Sequence, residues 1–292
     1  VRLNEITEKK GGYALKTLGV TRIRKEDIPA TVQYVSNIIG IPADDMKTLG
    51  SVGKTATSGD IDVALDLSKY NGDQIHRLLL NTLGQDKGTY NAGTKIGSYA
   101  IPIAGDPANG LVQFDLMYVP NPAWAEFSYF SAGDESRYKG AIRNILLANV
   151  AKALDEPGVD AFVYDDNGDL IVRAGRGLSP SLGLKRMYQM RGKHKKTGAW
   201  LKTMKNVSPM DIKREFPDLQ FDQGHWVIDD PKKVVGVLFG PDTKPSDVNT
   251  VEQIISLIKQ RFSREKAQKI FDGAKERASK LADKMEIPPE LQ

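Results

Sequence analysis

Asp60 and Asp62 stand one residue apart in the run Asp60-Ile61-Asp62-Val63-Ala64-Leu65. On a strand, residues two apart share a face, so these carboxylates would project together. Side by side they repel, and keeping both ionised is costly unless a cation sits between them. Hard oxygen ligands of this kind suit Mg²⁺, or Mn²⁺, with substrate phosphates completing the shell. Just upstream, Gly50-Ser51 and Ser58-Gly59 offer close backbone approach, N–H donors and hydroxyls for phosphate oxygens, and Lys54 adds charge. A third carboxylate, Asp115, lies in the apolar stretch Val112-Gln113-Phe114-Asp115-Leu116-Met117. An unpaired charge there would be expensive. Taken alone, an Asp-x-Asp pair is most often a solvated face or a turn. The joint spacing of Gly-Ser, a short loop, Ser-Gly-Asp-x-Asp and a later strand aspartate points instead to a metal-held phosphate chain. Gly53-Lys54-Thr55 imitates the end of a P-loop, but the first glycine of that motif is missing, since Thr48 stands there.

Several elements must hold these side chains. The stretch to about Gly40 reads as helical, with Ile28, Val32, Val35 and Ile39 at threes and fours and Gly40 with Pro42 as a stop. Ile61, Val63 and Leu65 mark a strand. Ile75, Leu78, Leu79 and Leu83 mark an amphipathic helix ending at Gly84, which makes His76 a surface or packing residue. Strands near Gly97–Ile103 and Leu111–Val119 flank the turn Asp106–Gly110. An aromatic stretch, Trp124 to Phe130, precedes a helix from about Glu135 to Leu154. Phe162 to Val172 reads as a hairpin folded at Asn167-Gly168. The remainder reads as mostly helical, with Val251, Ile254, Ile255, Ile258 and Phe262 on one face. The order implies an α+β fold, a small mixed sheet with flanking helices, followed by a mostly helical basic C-terminal region. Two domains are expected, a core over 1–150 with an N-terminal helix, and a hairpin plus basic helices over 151–292.

The 292 residues are 40% apolar and 27% charged, which excludes collagen-like, disordered and membrane-spanning classes. Val1–Glu5 has no apolar h-region, so no signal peptide is expected and a cytoplasmic location is the default. With no cysteine there is no disulfide, thiolate nucleophile or thiolate metal site, and His76, His194 and His225 form no ligand pair. Charge is unevenly placed. From Lys185 to Arg214 there are ten basic residues and one acid, a net of +9, against −5 for the rest. Arg191, Lys193, Lys195 and Lys196, with Tyr188 and Trp200 nearby, mix cations with aromatics, as phosphate neutralisation and base stacking require. A solvated charge run is the competing reading of that segment.

The Gly50-Ser51 turn, the loop to Asp60-Ile61-Asp62 and the later Asp115 resemble the signature of the polymerase-beta-like nucleotidyltransferases. The wording is closest to the DNA polymerase X branch. Ser58-Gly59-Asp60-Ile61-Asp62-Val63 is similar to that branch's Ser-Gly-Asp-Met-Asp-Val, and Tyr129-Phe130-Ser131-Ala132-Gly133 to its Tyr-Phe-Thr-Gly-Ser nucleotide-binding segment. The likeness covers roughly Lys47 to Arg173. It implies a nucleotidyltransferase palm and a two-metal transfer of a nucleoside monophosphate from an NTP or dNTP to an acceptor hydroxyl, releasing pyrophosphate. Asp60, Asp62 and Asp115 would be catalytic and hold Mg²⁺ or Mn²⁺. Gly50, Ser51, Lys54, Ser58 and Gly59 would cradle the nucleotide's phosphates, and Tyr129 and Phe130 would pack on its sugar and base. The basic segment, through Arg191, Lys193, Lys195, Lys196 and Trp200, makes a nucleic acid 3′ end the expected acceptor. A protein hydroxyl, a small molecule, or non-catalytic nucleic-acid binding are the alternatives.

Overall fold

The computed structural model describes residues 14–154, 163–221, 223, 226–281 and 285–292. Val1–Glu5, Phe162 and His225 lie outside the described residues. The chain divides into two compact units, Val1–Ala141 and Ile142–Gln292, so the division falls inside a helix. The architecture is α+β. Among the described residues, no helix is long and apolar enough to cross a membrane.

The first unit contains β1 (Ile23–Arg24), α1 (Ile28–Ile39), β2 (Lys47–Thr48), β3 (Thr57–Ser58) and β4 (Asp60–Asp66). It continues with α2 (Gly72–Leu83), β5 (Gly88–Asn91), β6 (Ile96–Pro102), β7 (Leu111–Val119) and α3 (Pro122–Ser128). The expected helix up to Gly40 is therefore confined to α1. Ahead of it lie single 3-10 turns at Lys16–Leu18 and Lys25–Asp27, and between them β1 is extended because Ile23 and Arg24 pair with Ser58 and Thr57. Gly40 ends α1 with φ of 69°, a left-handed cap that glycine adopts without strain. The aromatic stretch from Trp124 folds as α3, capped by Asn121.

The main sheet runs β2-β4-β7-β6-β5, with β4 and β7 parallel and the remaining pairs antiparallel. Period-two alternation sorts its faces. Ile61, Val63, Leu65, Val112, Phe114, Leu116 and Tyr118 enter the core beneath α1 and α2. There His76 packs as expected, its Nδ1 3.1 Å from the Tyr99 hydroxyl. The opposite face carries Asp60, Asp62 and Ala64 on β4, and Gln113, Asp115, Met117 and Val119 on β7. Its far end is apolar, where Ala64, Met117 and Val119 pack with Ala125 of α3 and Tyr129. Toward β6, Leu15, Leu18 and Val20 cover Ala100.

The second unit holds most of α4 (Gly140–Ala153), then β8 (Val163–Tyr164), β9 (Leu170–Ser179), β10 (Gly183–Lys193) and β11 (Trp200–Val207). α5 (Pro209–Glu215), β12 (Val227–Ile228), α6 (Pro231–Phe239), α7 (Val251–Arg261) and α8 (Arg264–Ala278) follow. The hairpin at Asn167-Gly168 is present, with Gly168 at φ 76°. The expectation of a mostly helical basic region is overturned for 185–207, which forms the antiparallel strands β10 and β11. The reason is alternation. Tyr188 and Met190 turn inward onto Val172, Ala174 and Val207, while Lys185, Gln189 and Arg191 take the other face. Helical structure holds for α6 to α8. Their apolar residues, among them Val234, Leu238, Ile254, Ile258 and Ile270, are buried.

Candidate active site

The parallel register of β4 and β7 sets Asp62 opposite Asp115 and Asp60 opposite Gln113. All three aspartates thus lie on one sheet face, between the Leu15–Val20 segment and α3. Burial, then Asp60 and Asp115, push the Asp62 carboxyl up to about 7. Burial and Asp115 raise Asp60, and the Arg22 guanidinium partly offsets this. Asp115 is also raised by burial, against hydrogen bonds from Ser98 and Gln113 that favour its charged form. Gln113 Nε2 donates to Asp115 Oδ2 at 2.9 Å, while the Leu15 amide donates to Gln113 Oε1 at 3.2 Å.

The donor set fits a divalent cation on one specific point. Asp115 Oδ1 is a buried acceptor with no hydrogen-bond partner among the described residues. Leaving such an oxygen unsatisfied costs about 1–3 kcal/mol, more when it is charged. A hard cation would remove that penalty. Among the described residues, however, no three acidic or imidazole side chains are gathered into a metal-binding group. Like charges on one face repel, and the Asp115 carboxylate is turned onto Gln113 and Ser98.

The preceding loop wraps one edge of this face. The Leu49 amide donates to the Asp62 carbonyl at 2.9 Å, and Gly50 turns the chain at φ 64°. A Cβ at Gly50 would lie 3.8 Å from Asp62 Oδ2 and 3.9 Å from the Tyr129 carbonyl oxygen. Gly50, Asp62 and Tyr129 are therefore brought together. Ser51 is exposed at the turn. Ser58 is buried, its hydroxyl accepting from the Gly53 amide at 3.4 Å, so it staples the loop from inside. After Thr55 the chain enters β3, not a helix, which removes the P-loop reading.

Lys54 and the aromatic segment also meet. Lys54 Nζ donates to the Ser131 carbonyl at 3.0 Å and lies 3.7 Å from the centre of the Phe130 ring. Burial and Asp62 together raise the Tyr129 hydroxyl pKa. Two participants were missed from sequence. Arg22 donates Nε and Nη2 to Thr57, at 3.0 and 2.9 Å, and its Nη1 is 3.3 Å from where a Gly59 Cβ would stand. That contact is long-range and left no local pattern. Gln113 did leave one, because it stands two residues before Asp115 on the same strand face.

The residues expected to meet nucleic acid are placed in the second unit, and most are engaged internally. Arg191 Nη1 lies 3.6 Å from Asp165 and 3.5 Å from Asp169, in the hairpin turn. Lys193 pairs with Glu215 and stands over the Trp200 ring. Trp200 stacks on Phe216 at 5.9 Å between ring centres. Lys195 and Lys196 are exposed at the tip of the β10–β11 hairpin. No family model matches this chain, and no curated protein matches it.

Proposed function

We propose that the protein is a metal-dependent nucleotidyltransferase, taking an NTP or dNTP and transferring its nucleoside monophosphate to an acceptor hydroxyl. One observation carries the reading: Asp60, Asp62 and Asp115 share a face of two parallel strands, beside a glycine turn that approaches Asp62. Asp60 and Asp62 would hold Mg²⁺ or Mn²⁺ at the triphosphate, and Asp115 would complete a second position. A bound divalent cation supplies charge neutralisation and a lowered pKa for the acceptor hydroxyl.

The chain's own residues do the rest. Asp115 accepts the acceptor's proton as its oxygen bonds the α-phosphorus and the bond to pyrophosphate breaks. The Gly50-Ser51 turn and the Ser51 hydroxyl face the phosphates, and Arg22, fixed by Thr57 beside Gly59, adds a cation there. Lys54 joins the loop to Phe130 and Ser131, which holds the aromatic segment in place for the sugar and base.

A nucleic acid 3′ end is the acceptor we favour, supported by the exposed Lys195 and Lys196. The internal pairing of Arg191 and Lys193 favours a second reading, in which a protein hydroxyl or a small molecule takes the nucleotide. Incubation with each labelled NTP and dNTP, Mg²⁺ or Mn²⁺, and DNA, RNA or no acceptor tests the proposal. Transfer that disappears in Asp62→Asn supports it. Transfer retained in that variant, with its fold intact by circular dichroism, overturns it.

A further inference from the structure

The second unit contains a cleft of about 520 Å³. Its walls are the last turn of α4, the middle of β9 and the first turns of α8. Lys152, Arg173, Lys266 and Lys269 line it, with Glu265 as the one acid among the described residues that do so. Glu265 is already held by Lys269 Nζ at 2.8 Å. The described lining residues therefore sum to about three positive charges, by formal count at neutral pH.

These cations are held together against their own repulsion. Partial burial lowers the Lys152 pKa, and Arg277 and Arg173 lower it further, with Glu276 only a partial offset. Among the described residues Lys152 makes no ion pair. Arg173 is oriented by its Nε, which donates to Gln189 Oε1 at 2.8 Å across the β9–β10 pair. The Ser263 side chain accepts from the Lys266 amide at 3.3 Å, so the end of α8 is already capped and the side chains carry the charge. Among the described lining residues there is no aromatic ring and no large apolar side chain. None of these described residues could stack on a base or take up a hydrocarbon.

We propose that this cleft binds two or more linked phosphates, recognised by charge and without base contacts. Its volume is that of a small-molecule site, larger than one phosphate needs. Arginine and lysine together suit phosphate oxygens, arginine through its planar fork and lysine as a point charge. The linked phosphates belong either to a free polyphosphate chain or to the phosphodiester backbone of a nucleic acid. The proposal stands whether or not the first unit transfers nucleotides.

The experiment is calorimetric titration of the full chain in EDTA, with sodium tripolyphosphate in one arm and a short oligothymidylate in the other. EDTA removes any cation that could hold phosphates at Asp60 and Asp62. Binding in the first arm identifies a free polyphosphate, and binding in the second alone identifies a backbone. In either arm the double substitution Lys152→Gln, Arg173→Gln should weaken affinity about tenfold or more, as loss of charge-assisted hydrogen bonds requires. Lys152→Arg should retain it, and Asp62→Asn should leave it unchanged. Should the double variant fail to fold, Lys152→Gln and Arg173→Gln singly should each weaken binding about threefold. The proposal is overturned if neither ligand binds, if the variants bind as the wild type does, or if sulfate competes as well as tripolyphosphate.

Discussion

Asp62 shows how one side chain links stability to chemistry. Its folded pKa, about 7, stands well above the ordinary carboxylate value, so the native state takes up a proton that the unfolded chain releases. The stability this contributes is present below the unfolded pKa and is lost as pH rises toward 7. In EDTA, wild-type protein should therefore lose melting temperature between about pH 4 and pH 8, and Asp62→Asn should lose less, because Asp60 and Asp115 still contribute. Added Mg²⁺ should restore the wild type at the higher pH and leave the variant nearly unchanged. Equal pH dependence in both proteins would refute a strained carboxylate at this position. Gly50 carries a different burden. A Cβ there meets only ordinary contacts, so Gly50→Ala should cost the backbone penalty of a positive φ, about 1–2 kcal/mol in urea unfolding.

At the level of elements, the basic hairpin separates residues that looked alike in sequence. Arg191 is only 14% exposed and lies between Asp165 and Asp169, so it ties the β8–β9 turn to β10. Arg191→Ala should destabilise by about 1–2 kcal/mol, leaving two acids without their cation. Replacing Lys195 and Lys196 by glutamine should change stability by less than about 0.5 kcal/mol and act on polyanion binding alone. Thermal melts of the two variants check this, and an Arg191→Ala protein as stable as the wild type would remove the structural assignment. The segment from Leu15 to Arg24 shows the same division of labour. It makes a 3-10 turn at Lys16–Leu18 and is held by distant partners, through the Leu15 amide on Gln113, the Thr21 amide on the Leu111 carbonyl at 2.7 Å, and Arg22 on Thr57.

For the whole molecule, charge distribution matters more than net charge. The +4 total conceals a segment of +9, yet folding returns Arg191 and Lys193 to internal acids. A polyanion meeting only Lys195 and Lys196 would release few counterions, giving a slope of log affinity against log salt near −2. A slope steeper than about −4 would show that further cations take part. The Lys152, Arg173 double variant would then reveal whether the α4–β9–α8 cleft supplies them.

Local sequence determined what depends on short-range pattern. Alternation placed Asp60 and Asp62 on one strand face, Gly40 closed α1, and Asn167-Gly168 made a hairpin, because each is decided within a few residues. The same alternation was present in the basic segment around Tyr188 and Met190, but the density of charge concealed its two strands. Tertiary structure alone decided the pairing of β4 with β7, which sets Asp62 against Asp115 across a long stretch of chain. It alone brought Arg22 to Gly59 and seated Lys54 on Phe130. Whether a cation is free or spent is likewise tertiary, since an ion pair depends on which acid the fold brings within reach, as Glu215 reaches Lys193.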